Sequence, residues 1–365
     1  MKILFALPGL HRYDRGAEVA FISVANELAK LGETVTLIGS GRERPGAPYR
    51  FLHASSLARK YFESFPSIPP LRNEFVYEEL TFVPGLLGHY RPSDYDVTLT
   101  CSYPFVNWIL RRPVLRGRRP PHVFITQNGD WPAVTRSGEY RFFGCEGLVC
   151  INPDYFERNK GRWNCALIPN GIDVNRFRPG GGHRKEFGIP EGRLVVLMVS
   201  ALDANKRVVM GVEAVSRIPN AHLVVAGDGR LRQAIDESAA KLMPGRFTRL
   251  TIPAAKMPDL YRSADVFLHL AKDESFGNVY LEAMACGLPV VGHDSPRLRW
   301  IVGDDEFLLD TTDPDAIARH VELARQRGRA GQQERVKKVE RFSWPKIGAM
   351  YQSFLQDVVR ACGSK

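Results

Sequence analysis

Short apolar runs alternate with stretches of helical spacing along nearly the whole chain, and the pattern occurs twice. Alternation of this kind marks parallel sheets. Their strands are covered on both faces, so they read as unbroken Val, Ile and Leu rather than as every second residue. Ile3 to Leu7 reads as a first strand, Glu18 to Leu31 as an amphipathic helix closed by Gly32, and Thr34 to Ile38 as the next strand. Further strands are predicted at Val97 to Thr100, Val123 to Thr126 and Leu148 to Ile151. Residues 41–93 are rich in Pro, Gly and aromatic side chains, and no element can be placed there.

Pro169 to Pro179 (P-N-G-I-D-V-N-R-F-R-P), followed by three glycines and His183, reads as a linker. A second alternation follows, with strands at Val195 to Val199, Leu223 to Ala226, Val266 to Leu270 and Pro289 to Gly292. Helical spacing returns at Pro314 to Gln326 and from Trp344 to Cys362. The expected architecture is α/β: two Rossmann-like domains facing each other across a cleft at the carboxyl ends of two sheets, where ligands bind. A chain of 365 residues suits two domains, each able to bury its own core.

Composition removes some classes. The six cysteines, at 101, 145, 150, 165, 286 and 362, have no C-x-x-C spacing and no accompanying His pair, so reduced thiols are expected rather than disulfides or zinc. The N-terminus lacks a signal-peptide pattern and no apolar run reaches membrane-spanning length. A cytoplasmic protein is expected, at most peripheral on the inner face of the plasma membrane. The net charge of +10 favours anionic partners, phosphorylated substrates and anionic lipid among them. Arg111, Arg112, Arg116, Arg118 and Arg119 form a basic cluster with no acid among them, which reads as a solvated loop, with a site for an anionic surface or an acceptor phosphate as the alternative. No zinc-finger spacing or RNA-binding aromatic pattern accompanies it, so no nucleic-acid partner is expected.

The segment with chemistry in it is E-S-F-G-N-V-Y-L-E-A-M-A-C-G-L-P-V-V, Glu274 to Val291. It follows one predicted strand and precedes another. Glu274, Ser275, Phe276 and Gly277 therefore occupy a loop at a strand's carboxyl end, and a helix begins near Asn278. Free N–H groups of Gly277, Asn278 and Val279, with the helix dipole, favour phosphate there. Glu282 lies one turn in and Glu274 before the turn, so two carboxylates bracket an anion site. Ionised carboxylates accept several hydrogen bonds and suit sugar hydroxyls. A nucleotide sugar has this layout, with Glu282 on the ribose and Glu274 on the transferred sugar. The plain alternative is an amphipathic helix with two solvated glutamates.

This segment resembles the E-x7-E signature of retaining glycosyltransferase family 4 (glycosyltransferase group 1), whose members adopt the GT-B fold. P-N-G-I-D at 169–173 with Arg176, Phe177 and Pro179 is similar to that family's interdomain linker. V-A-G-D-G at 225–229 resembles its glycine turn, and L-Y-R-S-A-D-V-F at 260–267 the step before the signature. F-S-W at 342–344 resembles the start of a C-terminal helix that crosses back to the first domain. The resemblance implies an acceptor-binding domain over 1–173 plus the helix 345–365, and a donor-binding domain over 174–344. Lys206 matches the lysine that neutralises the donor diphosphate, against a surface-lysine alternative. Gly16, with Ala17 and Glu18, matches the turn whose backbone approaches phosphate; a simple helix start is the alternative.

Four departures stand out. Ala201 occupies the place of a family arginine, so one diphosphate contact is either missing or supplied by Arg207. Gln127, Asn128, Gly129, Asp130 and Trp131 fill the loop where many members carry a histidine, and Arg15 replaces a glycine. The G-G-x-x-E segment after Val291 is replaced, so sugar choice near His293, Asp294 and Ser295 is open. Asn128 and Asp130 are candidates for positioning the acceptor or the sugar, Asp130 with a helix-cap alternative. His11, after the first strand, is a weaker acceptor candidate.

The resemblance implies transfer of a hexose from a nucleoside diphosphate sugar, with UDP the expected nucleotide, to an acceptor hydroxyl with retention. No cofactor and no metal is expected, and no D-x-D motif lies in a suitable loop. The acceptor, whether glycan, lipid-linked or small molecule, is not readable; bacterial glycan or glycoconjugate synthesis is the expected setting. Two rivals remain at this stage. One is an epimerase or phosphorylase on the same fold, the other a non-catalytic nucleotide-sugar-binding subunit.

Overall fold

The computed structural model describes residues 1–114, 117–304, 306–328 and 330–363. Arg116 of the basic cluster and the last two residues of the predicted C-terminal helix lie outside them. The chain divides into two units, Met1–Gly171 with Trp344–Lys365, and Ile172–Ser343.

The first unit is built on seven parallel strands: β1 (Lys2–Ala6), β2 (Thr34–Gly39), β3 (Arg50–His53), β4 (Val97–Thr100), β5 (His122–Ile125), β6 (Gly147–Cys150) and β7 (Cys165–Leu167). Their order is β3-β2-β1-β4-β5-β6-β7. The order reverses beside β1, so the loops after β1 and β4 splay apart at the carboxyl edge, the usual place for a ligand in such a sheet. β4, β5 and β6 are buried at every position, which is why their sequences run apolar without alternation.

The helix Trp344–Gly363 closes this unit. It packs on the helix Gly16–Lys30, where a side chain at Gly348 would come within 2.5 Å of Glu27 Cβ. Phe354 and Val358 lie over Gly147 of β6. Gly171 is equally constrained: a Cβ there would enter the ring of Trp344.

The second unit has six parallel strands: β8 (Leu194–Val199), β9 (Ala221–Ala226), β10 (Phe247–Leu250), β11 (Val266–His269), β12 (Val290–His293) and β13 (Phe307–Leu309). Their order is β10-β9-β8-β11-β12-β13. The reversal falls between β8 and β11, so the loops after these two strands lead in opposite directions from neighbouring positions. Val196, Met198, Leu223, Val225, Leu268 and Val291 form the core with Val212, Val215 and Val321 from the covering helices. At the unit's two ends the N–H of Ile172 donates to the carbonyl of Phe342 at 2.8 Å, and Ile172 bridges to Ser343.

Two sequence expectations change. The basic cluster is a solvated loop only in part: Arg118 is exposed, while three of its arginines are engaged. Arg119 makes a two-pronged pair with Glu146 at 2.6 and 3.0 Å, and Arg111 and Arg112 donate to the carbonyls of Phe142 and Tyr90. The acid that neutralises Arg119 is distant in sequence, on the approach to β6. Residues 41–93 contain β3 and the helix Glu74–His89, whose first N–H groups are capped by Asn73. The six cysteines are free thiols.

Candidate active site

The loop after β11 and the helix Asn278–Ala285 form the expected strand–loop–helix step. Gly277 stands before the helix with φ +86°, and a Cβ there would lie 2.7 Å from the ring of Tyr280. Glycine is needed at 277 for the backbone to turn over that ring. The half-buried residues Gly277, Asn278 and Val279 carry the first backbone donors, and Oδ1 of Asn278 is buried without a protein partner. Phe276 is 3% exposed and packs edge-on against Trp300 and Phe342. Its side chain anchors the loop in the core and is not presented as a donor contact.

Glu274 is the hub of the loop. Its Oε1 receives Nζ of Lys206, from the turn Ala204–Lys206 after β8, and lies 3.0 Å from Nε2 of His269 at the end of β11. Lys206 and Glu274 come from loops at the point where the strand order reverses. The guanidinium of Arg297 donates to the Glu274 carbonyl and lies 3.5 Å from Asp273. Burial pushes the Glu274 carboxyl up, but the His269 hydrogen bond and the Lys206 charge outweigh it and hold the group down at about 2.

Glu282 has the opposite environment. It faces the buried ring of Tyr261, whose hydroxyl donates to Oε2 at 2.7 Å. Burial raises its carboxyl to about 7, with the Tyr261 hydrogen bond and the Arg176 charge opposing the rise. The two glutamates of one signature are therefore held in different protonation regimes.

Arg207 does not stand free as a substitute for the missing arginine. It adopts a left-handed backbone, φ +54°, and its guanidinium donates to Oγ1 and the carbonyl of Thr311 and to the carbonyl of Leu270. It ties the loop after β8 to the loops after β11 and β13. The glycine turn at 227–229 packs on the same loop: a Cβ on Gly227 would strike the carbonyl of Ser200, and one on Gly229 the backbone of Leu202.

In the first unit, Gly16 opens the helix Gly16–Lys30, and a Cβ there would meet nothing within 4 Å. The fold itself does not demand a glycine at this position. Asp130 stands at the N-cap position of the helix Trp131–Val134, but its carboxylate makes no cap hydrogen bond and is not free. It is 4% exposed, with both oxygens taken by Arg158 at 2.7 and 3.2 Å and by Asn159 at 2.8 Å. Asn128 turns its amide toward the sulfur of Cys101, and Gln127 exchanges hydrogen bonds with Asn170. His11 has both ring nitrogens occupied, by the carbonyl of Arg42 and the hydroxyl of Tyr49, and stacks on Phe51. It is a structural residue, and the acceptor roles expected for His11 and Asp130 find no free group to carry them.

Residues 182–339 match the profile of Glycosyl transferases group 1, and residues 15–176 that of Glycosyltransferase Family 4. The chain belongs to this family of glycosyltransferases. Among its relatives, the lipopolysaccharide core biosynthesis glycosyltransferase LpsE of Rhizobium meliloti is 26% identical over 85% of each chain. The alpha-monoglucosyldiacylglycerol synthase of Streptococcus pneumoniae is 28% identical over 44% of this chain and 40% of its own. Among solved structures, sucrose-phosphate synthase from Thermosynechococcus elongatus aligns over 99% of both chains with a TM-score of 0.78 at 20% identity. The Anabaena HepE protein in complex with UDP and glucose aligns over 98% of this chain and 100% of that one, with a TM-score of 0.74 at 16% identity. These likenesses establish the GT-B fold for this glycosyltransferase.

Sequence reasoning missed His269, Arg297 and Thr311 as parts of the signature loop's frame. His269 ends a strand that reads as plain apolar sequence, and only its spacing of five from Glu274 offered a signal. Thr311 is fully buried and far along the chain, so nothing local marked it.

Proposed function

We propose that this glycosyltransferase moves a hexose from a nucleoside diphosphate sugar, UDP-linked, to an acceptor hydroxyl with retention at the anomeric carbon. The observation that carries the reading is the meeting of Lys206 with Glu274 beside the start of the helix Asn278–Ala285. A cation, free helix N–H groups and a carboxylate are thus gathered where a diphosphate with an attached sugar has complementary groups.

In this reading, Gly277, Asn278, Val279 and Lys206 hold the diphosphate, Glu282 the ribose hydroxyls and Glu274 the hexose. The anomeric carbon–oxygen bond to the diphosphate breaks as the acceptor oxygen bonds to the same face of that carbon. The acceptor proton passes to the departing phosphate oxygen. Lys206 and the helix N–H groups stabilise charge as it builds on the leaving group, and no metal is required. The acceptor is a glycoconjugate, in line with relatives named for lipopolysaccharide core and glycosyldiacylglycerol synthesis. UDP is favoured by HepE, described with UDP-glucose, over the GDP-mannose named for a mycobacterial relative.

A melting-temperature screen over UDP-, GDP-, ADP- and dTDP-sugars tests the donor, because a ligand of the folded state raises the melting point. A rise with UDP-sugars supports the reading; a rise with GDP-sugars alone overturns the nucleotide. Epimerised donor formed without any acceptor would overturn the transferase chemistry.

A further inference from the structure

Among the described residues, only two other than glycine have a left-handed backbone: His11 at φ +62° and Arg207 at φ +54°. Residues with a Cβ rarely adopt it, because Cβ crowds the carbonyl that follows. Such conformations persist where the surroundings over-determine them, and they gather at functional sites. His11 is held by Arg42, Tyr49 and Phe51, away from the donor residues in sequence and in the other unit. Arg207 directly follows Lys206. The single turn Ala204–Lys206 ends at it, and the helix Val208–Ser216 begins after it.

A turn of three residues is a weak hold on a lysine, and no side chain caps this one at its start. The guanidinium of Arg207 supplies the hold. Nη1 donates to Oγ1 of Thr311 at 2.7 Å and to the carbonyl of Leu270 at 3.2 Å, and Nη2 donates to the carbonyl of Thr311 at 2.6 Å. Thr311 is itself fixed: it is fully buried, and its hydroxyl lies 3.2 Å from Nδ1 of His293. Leu270 stands directly after β11, in the segment that leads to Glu274.

The loops after β8 and β11 are therefore joined twice, by Lys206 to Glu274 and by Arg207 to Leu270. The two links respond differently to a donor. A lysine that turns to phosphate leaves its carboxylate, so the first link is exchanged in use. Arg207 donates to two carbonyls and a buried hydroxyl, which no phosphate replaces, so the second link keeps the loops in place while the first opens. A planar guanidinium, with donors in fixed directions, can reach two loops at once where an ammonium cannot. A group that stabilises developing charge must stand in place beforehand, because a small displacement costs much of its effect. We propose that Arg207 is a positioning residue for the transfer: it touches no substrate and holds Lys206 where the leaving group develops its charge. The role rests on the donor reading, in which Lys206 meets the diphosphate.

Calorimetric titration of UDP and of uridine into Arg207→Gly, Arg207→Lys, Lys206→Ala and the K206A/R207G double variant tests it. Glycine suits the left-handed backbone, so Arg207→Gly removes the guanidinium without adding strain. It is expected to weaken UDP about fivefold or more and to leave uridine nearly unchanged. Arg207→Lys keeps the charge but not the fork, and is expected to recover little of the loss. The double variant is expected to bind UDP within about twofold of Lys206→Ala, because both changes act on one contact. Losses that multiply in the double variant would give Arg207 a phosphate contact of its own and overturn the proposal. Full recovery in Arg207→Lys would overturn it as well, and so would an equal loss of uridine and UDP in Arg207→Gly, which marks a purely structural residue. Should Arg207→Gly fail to fold, Arg207→Lys decides on the same UDP and uridine titrations, and wild-type affinity for UDP in it contradicts the role. UDP bound equally by wild type and Arg207→Gly sinks this inference alone, whereas a wild type that binds no UDP sinks the donor reading and this inference with it.

Discussion

Nε2 of His269 lies 3.0 Å from Oε1 of Glu274, and the ring is 1% exposed. Its other nitrogen, Nδ1, is buried without a protein partner, and the ring is stacked parallel to Phe267 and edge-on to Tyr280. Buried and fixed in this way, His269 can hold the carboxylate in one orientation while its other partner, Lys206, exchanges between Glu274 and a phosphate. His269→Leu removes that hold. It should raise the donor KM about tenfold or more, the scale of a hydrogen bond to a charged group. His269→Gln, which keeps an N–H donor, should recover part of the loss. Steady-state kinetics of both variants check this; equal defects would reduce His269 to packing.

Lys206→Ala should strike the chemical step harder than it strikes folding. Loss of one group that stabilises leaving-group charge typically lowers kcat about 10² to 10³-fold. Lys206 is partly buried and paired with Glu274, so the variant also leaves that carboxylate with one partner fewer. Single-turnover rates with the variant saturated in donor separate the two effects. A rate within a few-fold of wild type would remove Lys206 from the mechanism.

The carboxyl of Glu282, raised to about 7 by burial, gives a pH signature. A carboxylate binds ribose hydroxyls best when ionised. Donor affinity should therefore fall as pH is lowered through about 7, and Glu282→Gln should be weak and flat across the same range. The linkage to stability runs the other way. A raised folded-state pKa means the folded protein holds a proton that the unfolded chain has lost, so this group destabilises the fold progressively from about 4.5 to about 7 and uniformly above it. Calorimetric titration of UDP from pH 5.5 to 8.5 measures the binding arm.

Glu274 behaves oppositely in acid. Its pKa is depressed to about 2, so its contribution to stability is present above the unfolded value of 4.5 and is lost as pH falls toward 2. Glu274→Gln should flatten the melting temperature over this window relative to wild type, and a parallel pair of curves would contradict the ion-pair geometry.

The Asp130 carboxylate, shared by Arg158 and Asn159, is expected to act on stability alone. Asp130→Asn should cost about 1–3 kcal/mol, read by denaturant titration, because it unpairs Arg158 in a partly buried site. Its kcat, measured well below the melting point, should stay near wild type; a large loss would return Asp130 to the reaction.

The chain's legibility divided along the sheets. Every interior strand was readable from its apolar run: β1, β2, β4, β5 and β6 in the first unit, and β8, β9, β11 and β12 in the second. The four unread strands, β3, β7, β10 and β13, are the four sheet edges. They are mostly half-buried, and sequences such as R-F-L-H and F-T-R-L have neither a continuous run nor clean alternation. The signature helix and the Lys206 turn were legible because loop position follows from strand position. Contacts made at long range were not: Arg158 on Asp130, Glu146 on Arg119 and Thr311 on Arg207 join residues 27 to 104 positions apart. Sequence period is blind to pairs of that separation.

The most direct measurement is calorimetric titration of UDP and of uridine into wild type, Lys206→Ala and Glu282→Ala. If residues 274–282 and Lys206 form the donor site, UDP binds the wild type. Lys206→Ala then weakens UDP at least about tenfold with little effect on uridine, as expected for loss of a charged phosphate contact. Glu282→Ala weakens both, because it acts on the ribose. UDP affinity unchanged in both variants would contradict the assignment.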